Sequence, residues 1–431
     1  MMESLKKIPL VIGFLKTKSF NDLKNEFGVN VRFSIDSTKA SLNYDQFEAK
    51  SGVQLSDECR GMVIRPVMST SSFDDVVGDC EVVAWPMNRF YNQGDPAAIE
   101  VDWSDSELKV FEKLDGTMIV VYWDEIKNQW CSATRAVPEA DLPICKDHIE
   151  IGDATFSNLF QRACVETRQR KQPEYVNAFL NAFGRVPNRI DDVFYDLDKN
   201  MTYVFELTSQ FNRVIVRYTE PNVTLLSIRD LRSGLELDVT DKRIPFSLQS
   251  YCSFPKIWHM SSPEAMTTFV NEANPAEMEG AVACDSRFNR NKCKNKAWVL
   301  SSRAKDLVTV SRRSGLEAII SGTIDDVLPL LERDIANELL KMQTQLLKYV
   351  HWVDERFQFI KDASQGNRKQ FALQVIAGDA WPAPYFAMWE NKATSTMNWL
   401  RNLAADDRLS STALEVLLKK LSEQDVETNP S

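Results

Sequence analysis

The sequence predicts an α+β protein whose C-terminal part is entirely helical, and three observations carry that prediction. Up to about residue 300, short apolar runs rich in β-branched residues alternate with turn signals and brief helical patterns. Beyond about Arg313 the apolar residues recur every three or four positions instead. Glycine is scarce, 15 of 431 residues, which argues against a Gly-rich all-β architecture and for substantial helix. A chain of this length is long for one domain, so two are expected.

Composition removes several classes of function. With a net charge of −10, general electrostatic attraction to nucleic acid is not expected, and any polyanion needs a local basic site. Eight cysteines without a Cys-x-x-Cys pair, and only His148, His259 and His351, argue against a zinc site or a histidine-based triad. Scattered reduced thiols fit a cytoplasmic protein. Lys6-Lys7 followed by Ile8 to Leu15 imitates a signal peptide. The run stops at Lys16-Thr17-Lys18 without a small-residue cleavage site, so it reads as a core element. No apolar run is long enough for a membrane span.

Residues 1 to about 75 alternate short helical and strand patterns and include Glu58-Cys59-Arg60-Gly61, a charged turn leading into a strand. Pro66 to Asp79, rich in Ser and Asp, reads as an exposed loop. The next strand, Val82 to Trp85, runs into Pro86-Met87-Asn88-Arg89-Phe90-Tyr91-Asn92 and closes at Gly94-Asp95-Pro96. Arg60 and Arg89 each fall at a strand end. In Phe111 to Trp123, Lys113 stands two residues before Asp115-Gly116, and an apolar β-branched run follows. The run reads as a buried strand fed by a tight Asp-Gly turn, with Lys113 at the mouth of a sheet. A nucleophilic lysine is wanted in such a place, provided neighbouring cations or desolvation depress its pKa. Lys-x-Asp-Gly alone arises by chance roughly once in ten chains of this length, so further motifs are needed.

Phe156 to Phe183 is helical in pattern, and its Arg168, Arg170 and Lys171 read as a solvated face. Thr202 to Leu207 is a strand interrupted by Glu206, a carboxylate that costs free energy there unless it is paired. Val223 to Asp238 is a hairpin turning at Arg232-Ser233-Gly234. Glu279-Gly280 is an acid at a turn opening a strand, and Lys292, Lys294 and Lys296 follow at spacing two, which on a strand points all three to one face. That face is either a solvated edge guarded by lysines or a phosphate-binding surface. From Leu331 to Ile360 the spacing describes one long amphipathic helix. Further helices are expected over Arg368 to Ala377, Thr394 to Ala404 and Ser410 to Leu421.

Together these charged positions suit attack of an amine on the α-phosphorus of a nucleoside triphosphate. Lys113 attacks, while Lys292 and Lys294 hold the α-phosphate. Glu206 accepts ribose hydroxyls, and Glu279 helps hold a hydrated Mg²⁺, which binds through one or two carboxylates plus phosphate oxygens. Arg60 and Arg89 suit the outgoing β and γ phosphates.

In these residues the chain resembles the covalent nucleotidyltransferases, and most closely the RNA ligase 1 family of T-even bacteriophages. Lys113-Leu114-Asp115-Gly116 is similar to the family's nucleotidyl-lysine motif. Phe205-Glu206 with Asn212-Arg213 is similar to its third motif, Glu279-Gly280-x-Val282 to its fourth, and Lys292-x-Lys294 to its fifth. Glu58-Cys59-Arg60-Gly61 and Pro86-Met87-x-Arg89-Phe90-Tyr91-Asn92 point to the RNA ligase 1 branch. The resemblance implies a ligase and capping-enzyme fold with antiparallel sheets over residues 1–308 and a helical domain over 309–431.

It further implies ATP and Mg²⁺ (or Mn²⁺), AMP carried on Lys113, and an ATP site lined by Tyr44, Arg60, Arg89, Glu206, Glu279, Lys292 and Lys294. Arg135 and Trp298 resemble positions used in the RNA-handling steps, and Asp325 resembles a metal-binding acid. Where Arg89 stands the family usually has lysine, so the charge is kept and the geometry need not be. The implied partner is RNA with 5′-phosphate and 3′-hydroxyl ends, with tRNA repair as the implied setting. A monomer is expected, in the cytoplasm of a host if phage-encoded. A DNA ligase, a GTP-using capping enzyme or a non-catalytic RNA-binding protein of the same fold remain open.

Overall fold

The computed structural model describes residues 7–45, 48–67, 73–141, 155–187, 189–212, 214–239, 241, 248–302, 315–316, 319–320, 322, 324, 328, 333–378, 381–405, 414 and 416–421. The chain forms two compact units, Met1–Asn295 and Lys296–Ser431.

The first unit is built on three sheets. Helices α1 (Leu10–Leu15) and α2 (Phe20–Phe27) precede strands β1 (Val29–Phe33) and β2 (Ala40–Tyr44). Then come α3 (Gln54–Glu58), β3 (Arg60–Pro66) and β4 (Cys80–Ala84). The four strands form an antiparallel sheet in the order β1-β2-β3-β4. The apolar run that imitates a signal peptide is α1, and its Val11, Ile12 and Leu15 are buried. Glu58 explains part of its own motif. Buried in the chain, it accepts the Leu10 backbone N–H at 2.6 Å and so caps α1.

A second sheet has the order β11-β10-β9-β7-β8. It comprises β7 (Thr117–Asp124), β8 (Gln129–Thr134), β9 (Met201–Thr208), β10 (Asn222–Asp230) and β11 (Leu235–Leu237), all antiparallel. Successive side chains of a strand point to opposite faces. Ile119 and Val121 of β7 join the core beneath helix α4 (Phe156–Lys171), and Met118, Val120 and Tyr122 pack against Val63, Val83 and Ala84 of the first sheet. Both faces are buried, which is why the sequence after Gly116 is a continuous apolar run rather than an alternating one.

The third sheet has the order β12-β6-β13-β14-β5, from β5 (Tyr91–Asn92), β6 (Lys109–Lys113), β12 (Ile257–Trp258), β13 (Gly280–Cys284) and β14 (Arg290–Lys294). Only the β14–β5 pair is parallel. Helix α8 (Pro263–Glu272) covers this sheet through Met266 and Val270, against Val110, Ala281 and Ala283.

Three readings of the sequence are corrected here. Asp115-Gly116 is not a tight turn but part of a crossing segment, because β6 and β7 belong to different sheets and Leu114 to Gly116 pass between them. Of the three basic residues read as a solvated face, Arg170 and Lys171 are exposed but Arg168 is not. Arg168 is buried with its guanidinium 3.4 Å from the Tyr175 ring, Arg170 donates to the Pro221 carbonyl at 2.7 Å, and Lys171 donates to the Cys252 carbonyl at 2.6 Å. These cations close the C-terminal end of α4 onto neighbouring loops. Pro173 then starts α5 (Pro173–Phe183), so the helical pattern is realised as two helices, and a short α6 (Ile190–Val193) follows. Finally, β14 ends at Lys294, and Lys296 opens the helical residues 296–302 instead of extending the strand.

The first unit also contains α7 (Leu248–Tyr251). The described elements of the second unit are helices, among them α9 (Arg333–Ala363), α10 (Arg368–Gly378), α11 (Ala383–Trp389) and α12 (Thr396–Ala405). Leu339, Met342, Leu346, Val350, Val353, Phe357 and Ile360 of α9 are buried at the spacing the sequence predicts. They pack with Phe371, Val375, Tyr385 and Leu400 of the other three helices. Asp354 accepts both the backbone N–H and the hydroxyl of Thr396, tying α9 to the start of α12.

Candidate active site

Three adjacent strands of the third sheet bring the basic and acidic motifs into one row. In the registers of β6, β13 and β14, Gly280 is paired with Lys113 on one side and with Lys294 on the other. A Cβ on Gly280 would lie 2.1 Å from the Cys293 carbonyl oxygen, so only glycine lets β14 approach this closely. Glu279, just before β13, is buried, and its Oε1 lies 2.6 Å from Lys113 Nζ and 3.0 Å from Lys294 Nζ. One carboxylate oxygen therefore binds both lysines.

The Asp-Gly pair has a tertiary role. Asp115 is buried, and its Oδ2 accepts the backbone N–H groups of Ile215 and Val216 at 2.8 and 2.7 Å. Gly116 passes so near β9 that a Cβ there would lie 2.3 Å from the Leu207 carbonyl oxygen. The segment after Lys113 is thereby fixed to the end of the strand that carries Glu206. Asn212 reinforces the same corner by donating to the Leu207 carbonyl at 2.7 Å and to Thr117 at 3.1 Å.

Glu206 is paired in register with Met118 and Thr224. Burial pushes its carboxyl up to about 7. The Lys113 ammonium pulls the other way, and the charge of Glu279 adds to the rise. Lys292 shows the opposite behaviour. Burial brings its amine down to about 7, helped by the charges of Lys113, Arg60, Lys294 and Arg89. Its Nζ donates to the Phe90 carbonyl at 3.0 Å.

The first sheet and the segment after it supply the arginines. Burial lowers the pKa of the Arg60 guanidinium, and Tyr44, Arg135 and Glu206 are among the groups that act on it electrostatically. It sits 5.2 Å from the Phe90 ring. Arg89 is held between two rings, 4.3 Å from Tyr44 and 4.7 Å from Tyr91. Arg135 lies 5.5 Å from the same Tyr44 ring, and its backbone closes on Gly61. The Nη1 atoms of Arg60 and Arg89 are both buried without a hydrogen-bond partner among the described residues. Buried guanidinium N–H groups left unmatched suit a ligand that brings acceptor oxygens.

The structure thus brings together Tyr44, Arg60, Arg89, Lys113, Arg135, Glu206, Glu279, Lys292 and Lys294. Trp298 belongs to the second unit, where it is 5% exposed. Asp325 lies outside the described residues. Sequence reasoning missed Asp57 and the role of Tyr91. Tyr91 donates its hydroxyl to Asp57 at 2.5 Å, and Arg89 donates its backbone N–H to the Asp57 carbonyl at 2.7 Å, which fixes the arginine sandwich. No local pattern singles out Asp57.

A family model described as RNA ligase, of the T-even phage RNA ligase 1 type, matches residues 58–305. The chain belongs to that RNA ligase family. Relatives are distant. A protein of Autographa californica nuclear polyhedrosis virus, named as a bifunctional polynucleotide kinase/RNA ligase, is 25% identical over 330 residues, covering 74% of this chain and 41% of its own. An RNA ligase of Rhodothermus phage RM378 is 26% identical over 195 residues, 40% of this chain and 37% of its own. The chain therefore spans about two fifths of the length of these curated relatives.

Among solved structures, an archaeal ATP-dependent RNA ligase matches with a TM-score of 0.37 and 12% identity over 83% of each chain. The Naegleria gruberi RNA ligase with PPi matches with a TM-score of 0.30 and 13% identity over 46% of this chain and 52% of its own. The family match, not these structural likenesses, carries the assignment. The sequence motifs of the matched span that the structure describes fall in the first unit, and Trp298 falls in the second.

Proposed function

We propose that this chain is an ATP-dependent RNA ligase that joins 5′-phosphate and 3′-hydroxyl ends through an AMP carried on Lys113. The observation that carries the reading is the row formed by Lys113, Glu279 and Lys294, with Lys292 and the arginines beside it. Lys113 Nζ, once deprotonated, attacks the α-phosphorus of ATP. A P–N bond forms, the bond from the α-phosphorus to the bridging oxygen breaks, and pyrophosphate leaves with the electron pair. In the second step a 5′-phosphate oxygen of RNA attacks the AMP phosphorus, and the P–N bond breaks back to the lysine. In the third, an RNA 3′-hydroxyl attacks the 5′-phosphorus, loses its proton and expels AMP.

Lys292 and Lys294 neutralise charge growing on the α-phosphate oxygens, and Arg60 and Arg89 hold the departing pyrophosphate. Glu206 accepts ribose hydroxyls. Glu279 restrains Lys113 until nucleotide is bound. A divalent cation such as Mg²⁺ fits beside Glu206 and Glu279, because burial raises the Glu206 carboxyl and the nearby charge of Glu279 adds to the rise, so a cation there would relieve both. When bound, Mg²⁺ supplies charge neutralisation of the triphosphate.

The test is labelling. Incubation with ATP labelled at the α-phosphate and Mg²⁺ is expected to leave label on the protein, and Lys113→Ala to abolish it. Equal labelling of the Ala variant refutes the mechanism. Broken tRNA is the proposed natural substrate, and a joining assay against a short single strand and a nicked duplex ranks it.

A further inference from the structure

Behind the phosphate-facing residues lies a buried cluster of three charges. Glu236 on β11 pairs with Arg290, the first residue of β14, whose Nη1 is 3.1 Å from Oε2 and whose Nη2 meets Oε1. Arg229 on β10 lies 3.6 Å from the same Oε2. The side chains of Arg229, Glu236 and Arg290 are 5%, 6% and 11% exposed. Arg229 also donates to the carbonyls of Trp85, Gly234 and Pro86 at 3.1, 2.9 and 3.4 Å, with its guanidinium 4.3 Å from the Trp85 ring. Ser227 completes the set by donating to Glu236 Oε1 at 2.8 Å.

We propose that Glu236 is a positioning residue for nucleotidyl transfer. Through Arg290 it fixes the strand that carries Lys292 and Lys294, and through Arg229 it fixes the Trp85-Pro86 segment that leads to Arg89. The inference rests on the ligase reading above.

The need for such a clamp follows from the topology. β14 lies between β13 and the two-residue β5, so the ladder secures it on one side and hardly at all on the other. β5 is itself the end of the Arg89 segment, and Lys292 donates to the Phe90 carbonyl within it. A shift in the segment therefore moves the lysine strand, and the reverse. Glu236 sits on a different sheet from β14, where the second sheet provides a fixed reference for both. Burying a carboxylate with two guanidiniums is a poor way to gain stability, because well-packed apolar residues of similar volume do as well or better. It is a good way to set direction, because charge-assisted hydrogen bonds from a guanidinium fork are geometrically specific.

The experiment compares Glu236→Gln with the double variant Glu236→Met/Arg290→Met. Two quantities are measured on the full chain: the single-turnover rate of labelling from saturating α-labelled ATP, and the urea midpoint. Loss of register between reacting groups is expected to cut the labelling rate of Glu236→Gln by roughly ten-fold or more at saturating ATP. The double variant is expected to regain the midpoint but not the rate. A Glu236→Gln protein that labels at the wild-type rate overturns the proposal, as does a double variant that regains both. Should Glu236→Gln fail to fold, the double variant decides alone. A wild-type chain that takes no label overturns the ligase reading instead, which separates the two failures.

Discussion

Lys113 Nζ lies 2.6 Å from Glu279 Oε1, so the amine assigned to attack phosphorus is held by the carboxylate assigned to face the metal. We propose that this contact makes Glu279 a gate on the first step. Glu279→Gln is expected to lower the initial labelling rate by roughly 100-fold and to raise the Mg²⁺ concentration needed for half-maximal labelling. A Mg²⁺ titration of labelling with both proteins checks it, and superimposable curves would refute the assignment.

Lys292, brought down to about 7 by burial and neighbouring cations, is mostly neutral at pH 8. A triphosphate placed beside it favours the charged form, so its pKa rises on binding and a proton is taken up. Titration calorimetry of ATP binding at pH 8, in buffers of different ionisation enthalpy, is expected to report proton uptake. Lys292→Met is expected to remove most of it. Net proton release by the wild-type chain would contradict this account.

Arg89 is sandwiched between Tyr44 and Tyr91, a geometry that depends on a planar cation. Arg89→Lys keeps the charge but loses the stacking, which is worth about 0.5–2 kcal/mol per ring. The KM for ATP in labelling is expected to rise by roughly ten-fold, with the rate at saturating ATP falling less. An unchanged KM would mean that charge alone matters at this position.

Gly280→Ala drives a methyl group against the Cys293 carbonyl, and neither strand can yield without losing its register. The expected cost is about 2–4 kcal/mol in urea unfolding, together with loss of labelling. Alanine tolerated at both readouts would show that β13 and β14 have more freedom than the packing implies.

Much of the site was legible because its members lie at the ends of strands. Lys113, Glu279 and Lys292-x-Lys294 each stand where an apolar run meets a turn, and such junctions are visible in a window of ten residues. The long helix α9 was legible for a similar reason, its buried positions repeating over about six turns of helix. Arg168 was misread because a basic residue on a helix face carries no local sign of what covers it, here Tyr175 and the Val193 carbonyl. Asp57 and Glu236 were invisible for the same reason. Their partners, Tyr91 and Arg290, are distant in sequence.

By itself, then, the amino-acid order determined the α+β class, the helical C-terminal part, and which lysines and acids could serve a phosphoryl reaction, since periodicity and turn chemistry are local properties. Only the tertiary structure decided that Lys113 and the strand after it lie in different sheets, that one oxygen of Glu279 serves two lysines, and that Arg89 is stacked between tyrosines. Those relationships depend on which strands pair and how sheets pack, and a buried charge finds its partner by that packing rather than by its neighbours in the chain.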